Sequence, residues 1–332
     1  MMTRFFPAFS LALFFLGGLA QAQLTIRVEP VKSTLVAHES MKLVVQIRNF
    51  SGQDLTLDAP GQREWLTFSV RTSARPLVTS TYSGEVFRPQ VLGAGRTIQK
   101  TVDLKALYDV GDFGSYWVTA HVWYPPTREY LNSNQVMMNV VNAQVYAERT
   151  VGVPPGRPGA GEPRAYQVML FKHLDETEIY VRVKAARTQR VYATYSLGPV
   201  VMIKPPQVAI DRDSKLHLLY MGGPGLWLYS KVDVDGRFLG REFYKDQGVP
   251  LPKLATDSAG FVRVDGGRLY DPANPEGSEQ AELAEVNPGY RRLSDRPGFL
   301  NQSNGNPTPP AGRGNMQDLF EEYRDSDSLF NE

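Results

Sequence analysis

The feature that most constrains the fold is an apolar period of two. Between Gln23 and residue 268 the chain carries short alternating or β-branched runs such as "LTIRVEP", "MKLVVQIRN", "WLTFSVRT", "RTIQKTVDL", "SYWVTAHVWY" and "VMMNVV". Successive side chains of an extended strand point to opposite faces, so each run specifies a half-buried strand. Turn-forming clusters such as "NFSGQD" and "GAG" separate them, and no segment before the tail shows a 3.6-residue apolar period. The expected fold class is all-β, and six or seven strands in residues 23–148 predict an antiparallel sandwich.

The first residues are of another kind. "MMTRFFPAFSLALFFLGGLAQAQ" has one positive charge, an apolar run from Phe5 to Leu16, and the small-residue ending Ala20-Gln21-Ala22. This is the pattern of a secretory signal peptide over 1–22 cleaved after Ala22, and the run is too short to span a bilayer. A periplasmic or secreted protein is expected, with no transmembrane segment after signal cleavage. The chain contains no cysteine, so its domains hold together by packing alone, and thiol chemistry and cysteine-ligated metals are excluded. The formal net charge is +1, which offers no field for nucleic acid.

Composition breaks the chain twice. "VGVPPGRPGAGEPR" is dense in Pro and Gly and predicts a linker over 149–164. From 269 to 332 the chain is expected to be a disordered tail. Within it, Met316, Leu319, Phe320 and Tyr323 fall at helical spacing among acidic residues, which predicts a short helix over 315–324 that folds on a partner.

"DFGSYWV" places Asp112, Gly114, Tyr116 and Val118 in the D-x-G-x-Y-x-C spacing of an immunoglobulin-type strand, with valine in place of cysteine. Here the chain resembles the immunoglobulin-like superfamily. The resemblance implies that the Tyr116 hydroxyl returns to the backbone as a tyrosine corner, and that no inter-sheet disulfide forms. No tryptophan stands out at that family's core position. If Tyr116 and Val118 point inward, so do Ala120, Val122 and Tyr124, leaving Trp117, Thr119, His121 and Trp123 on the opposite face. Trp117, His121 and Trp123 are binding candidates there. Packing against the linker or second domain and contact with a protein or glycan both remain open for this face.

Residues 165–268 repeat internally at an offset of about 46–48, with Pro206/Pro252, Ala209/Ala255 and Asp211/Asp257 kept. Two four-stranded meanders result, with a trailing strand at Phe261–Val264. They resemble β-propeller blades of the sialidase or NHL kind. Complete rings need about four to eight blades, so the two sheets are expected to pack face to face, with an oligomeric ring as the alternative.

The acids Asp211, Asp213, Asp233 and Asp235 are too few for a calcium loop, and the scattered histidines His38, His121, His173 and His217 form no metal set. Asp235-Gly236 predicts a type I′ turn, pairing Val232 with Leu239, Leu228 with Phe243, Trp227 with Tyr244 and Tyr229 with Glu242. Asp233 would then project to an aromatic side on which Trp227, Tyr229 and Tyr244 are further binding candidates. No cofactor, metal or catalytic set is expected. The functional expectation is an exported, non-enzymatic binding or scaffold protein of the cell envelope; the alternative is a carbohydrate-active enzyme or glycan-binding module using the blade-like domain.

Overall fold

The computed structural model describes residues 24–61, 63–74, 77–82, 86–246 and 249–273. In chain order the first nine strands are β1 (Leu24–Pro30), β2 (Thr34–Val36), β3 (Lys42–Asn49), β4 (Leu55–Leu57), β5 (Leu66–Thr72), β6 (Gln90–Leu92), β7 (Thr97–Asp103), β8 (Gly114–Tyr124) and β9 (Glu129–Val141). They form sheets ordered β1-β3-β7 and β2-β9-β8-β5, with β4-β6 as a separate ribbon. All pairs are antiparallel except β2 with β9, which run parallel. The inward rows of the two main sheets meet in one apolar cluster that includes Val28, Val45, Ile47, Val70, Val118 and Val122. Alternation along β8 is as expected: Tyr116, Val118, Ala120, Val122 and Tyr124 are all buried.

The second half contains β10 (Gln144–Gly152), β11 (Pro163–His173), β12 (Glu176–Ala185), β13 (Val191–Pro199), β14 (Gln207–Ile210), β15 (Leu216–Gly223), β16 (Leu226–Val232), β17 (Phe238–Lys245), β18 (Lys253–Thr256), β19 (Val262–Asp265) and β20 (Arg268–Tyr270). One sheet is the meander β10-β11-β12-β13; the next is β14-β15-β16-β17 extended by β20; β18-β19 is a hairpin. The two large sheets share an apolar layer drawn from both, including Tyr166, Val181, Leu218, Tyr220 and Val232. A second layer, Leu219, Met221, Trp227 and Tyr229, lies on the far face of the five-stranded sheet against Leu254 and Val264 of the hairpin. The outer face of the first meander meets the N-terminal sheets through Val36, Met169 and Tyr180.

The stretch expected as a linker behaves differently. Residues through Gly152 complete β10, and Val153 is buried in the inter-sheet layer. The following loop closes on itself through Val153 N–H to Glu162 O and Gly161 N–H to Val153 O. Arg157 then reaches Asp233 and Asp235 at 3.0 and 3.2 Å. Proline and glycine here serve a folded loop with internal backbone partners, which composition does not distinguish from a flexible tether.

The repeat is real at the level of turns. Asp211, Asp233 and Asp257 each close a strand connection in the same way. In each, Oδ1 accepts from the N–H groups two and four residues ahead, for example Asp235 and Arg237 for Asp233. The residue three ahead has positive φ: Ser214 at 63°, Gly236 at 86° and Gly260 at 85°. Asp235 is not in that region, so the expected type I′ turn is corrected to an aspartate-capped turn with a single left-handed residue. Asp233 folds back onto its own backbone rather than projecting to the aromatic side. The pairings of Trp227, Leu228 and Tyr229 hold, but a bulge pairs Val232 with Phe238 instead of Leu239. The hairpin β18-β19 copies β14-β15 and so begins a third unit, of which the expected trailing strand is the second half. Among the described residues no helix is long and apolar enough to cross a membrane. Residues 1–23 and the tail from Asn274, with Leu319, Phe320, Tyr323 and the expected helix at 315–324, lie outside the described residues.

Candidate functional site

Two places gather the sequence candidates. The first is the far face of the five-stranded sheet. Tyr229 donates to His217 Nδ1 at 2.6 Å, and His217 Nε2 lies 3.1 Å from Asp211 Oδ2. A carboxylate only accepts, so Nε2 carries the proton and Nδ1 receives the tyrosine hydrogen. Burial lowers the His217 pKa below its ordinary value, although Asp211 pulls it up. Burial likewise pushes the Tyr229 hydroxyl up to about 12. Alongside, Glu242 accepts from Lys231 at 3.0 Å and from Tyr244 at 2.8 Å. Burial would raise the Glu242 carboxyl, but these two bonds hold it below its usual range. The Trp227 indole donates to Asp246 at 2.9 Å.

This cluster resembles a catalytic relay in residue type, but it is closed. His217, Tyr229 and Trp227 are 4, 3 and 2% exposed, under Leu254 and Val264. Trp227 and Tyr229 are therefore core residues rather than binding residues, and half-buried Tyr244 packs at their margin. The period-2 pattern assigned their face; it did not reveal that the hairpin from the next repeat covers it. Asp211 and Asp233 are spent on turn backbone, and among the described residues no group of three His, Asp or Glu is placed to hold a metal.

The second place is the outer face of the sheet β2-β9-β8-β5. Register sets three rows across β5, β8 and β9: Arg71–Trp117–Met137, Ser69–Thr119–Gln135 and Thr67–His121–Asn132. His121 is clamped at one end, with Nε2 2.6 Å from Ser69 Oγ and Nδ1 2.7 Å from Asn132 Oδ1. At the other end Arg71, Thr72, Trp117 and Gln135 line a recess of about 590 Å³. Trp117 is half-buried, and its indole N–H, the Arg71 guanidinium and the Gln135 amide bond no described residue. Trp123 departs from the expected stripe. It is buried at 7% exposure in the N-terminal core, edge-on to Tyr130 at 5.2 Å, and what it still shows faces a cavity of about 540 Å³ that it lines with Ala59, Pro60 and Arg128.

Sequence reasoning missed Trp65, which is 1% exposed in the N-terminal core and donates to Arg88 O at 3.1 Å. Its position directly before an alternating run was the available signal. The Tyr116 hydroxyl donates to Asp112 O at 2.9 Å.

No known protein family matches the chain, and no curated protein matches it. Among solved structures, Spo0M, a sporulation control protein from Bacillus subtilis, aligns at 9% identity over 53% of this chain and 91% of that one, with a TM-score of 0.24.

Proposed function

We propose that this is an exported, non-enzymatic binding or scaffold protein of the cell envelope whose ligand surface is the outer face around Trp117. The observation that carries this reading is the Trp117 recess, lined by an indole, a guanidinium and an amide that bond no described residue. A half-buried aromatic among donors that bond no described residue is the composition of a recognition site. The leader-like first 22 residues support export. The capped state of Asp211 and Asp233 and the closed His217 relay favour this reading over the carbohydrate-active enzyme.

In the same reading the N-terminal sheets from β1 to β9 form an immunoglobulin-like sandwich. The Tyr116–Asp112 bond, the parallel β2–β9 pair and buried Trp65 support it. The stacked second-half sheets support a blade-like kinship within one chain.

Co-sedimentation of the purified protein with a bacterial cell-envelope preparation tests the surface. Retention by the wild type, lost in Trp117→Ala with the melting temperature unchanged, is expected. Equal retention of both would remove the Trp117 face from the proposal.

A further inference from the structure

We infer that the face around Trp117 takes a neutral oligosaccharide, an assignment that rests on the binding reading above and narrows it to one ligand class. The face is not built for the other polymers. β8, which carries Trp117, Thr119 and His121, is hydrogen-bonded on both sides, so a peptide strand could add only at the β5 edge, where Val70 O already accepts from Val78 N–H. A protein hot spot needs an apolar centre, and only Trp117 and Met137, the latter 48% exposed, are large and apolar here. Nucleic acid needs several cations, and Arg71 is the single one in the three rows.

What remains is one aromatic plane followed by hydroxyl and amide side chains. An indole face offers a flat apolar surface with negative quadrupole, suited to the C–H face of a pyranose ring. Thr119 and Gln135 in the next row, and Asn132 beyond them, each both donate and accept, as sugar hydroxyls do. The rows from Trp117 to His121 span four residues, about 13 Å at about 3.3 Å each, room for a short oligosaccharide lying along the strand. The His121 clamp between Ser69 and Asn132 holds the far end in place before any ligand arrives.

The full chain would be titrated calorimetrically with cellotetraose, maltotetraose and the N-acetylglucosamine tetramer, with tetragalacturonate as the acidic counterpart. Saturable binding of at least one neutral tetramer is expected. Trp117→Ala should weaken it at least about tenfold, while Trp117→Phe, which keeps a stacking ring, stays within about threefold. Gln135→Ala should weaken it severalfold, with unchanged melting temperatures certifying the fold of each variant. No saturation with any neutral tetramer, equal affinity of Trp117→Ala, or tighter binding of tetragalacturonate would each overturn the inference. Envelope retention that depends on Trp117 yet is not competed by any neutral tetramer would sink the sugar assignment while leaving the binding reading in place. Retention independent of Trp117 would sink both.

Discussion

Gly236→Ala measures how the aspartate-capped turn sits on the neighbouring sheet. Gly236 has φ of 86°, and a Cβ built there would lie 2.4 Å from the Ala193 Cβ and 3.5 Å from Val183. Two costs combine. An alanine in the left-handed region loses about 1–2 kcal/mol, and forcing a methyl into a packed layer adds about 1–3 kcal/mol. The total of about 2–5 kcal/mol is a large share of the about 5–15 kcal/mol typical of a folded protein. Gly156→Ala is the matched control, because Gly156 has φ of 85° with nothing within 4 Å of its Cβ. It carries the backbone cost alone. Urea unfolding followed by tryptophan fluorescence should place the Gly236→Ala midpoint about 0.3–1 M below that of Gly156→Ala, taking a slope near 3 kcal/mol/M. Coincident midpoints would refute the close packing of the turn on β12 and β13.

The three turn aspartates should differ in cost although their geometry is shared. Asp233→Ala removes two backbone bonds and the Arg157 partner from a buried site and should cost about 2–3 kcal/mol, whereas half-exposed Asp257→Ala should cost about 1 kcal/mol in thermal melts; equal losses would contradict the burial argument. Tyr116→Phe loses the bond to Asp112 O and should lower stability by about 0.5–1.5 kcal/mol, and a neutral effect would argue against the corner. Burial lowers the pKa values of both His217 and His38 from 6.5, so the unfolded chain binds protons more tightly and stability present above pH 6.5 is lost as pH falls towards the folded values. Glu39, raised by burial from 4.5, works oppositely, its contribution being full below pH 4.5 and lost as pH rises through its folded value. His217→Gln should therefore flatten the acid-side loss measured by denaturation as pH falls below 6.5, and an unchanged slope would show that the Asp211–His217–Tyr229 relay is not what titrates there.

Much of this molecule was legible without coordinates. The inward row of β8 followed from alternation at Tyr116, Val118, Ala120, Val122 and Tyr124. The repeat marks Asp211 and Asp257 as equivalent, and their hydrogen bonds are the same. The pairing of Tyr229 with Glu242 matches the count from Asp235-Gly236 because the bulge at Val232 offsets the different turn by one residue. All are local consequences of a two-residue period and short connections, which involve only near neighbours in the chain. The turn type was less accessible, since a capping side chain competes with the backbone pattern that Asp-Gly ordinarily selects.

The sequence by itself determined which residues share a face, and the tertiary structure decided which faces are open. Trp117, Trp123, Trp227 and Tyr229 all read as outward aromatics. Trp117 stays half-buried beside donors that bond no described residue, whereas Trp123 is 7% exposed and packs edge-on to Tyr130, and a hairpin from the next repeat covers Trp227 and Tyr229. The cover over Trp227 and Tyr229 belongs to another sheet. Periodicity fixes the direction in which a side chain leaves its own strand and carries no information about what arrives from elsewhere in the fold.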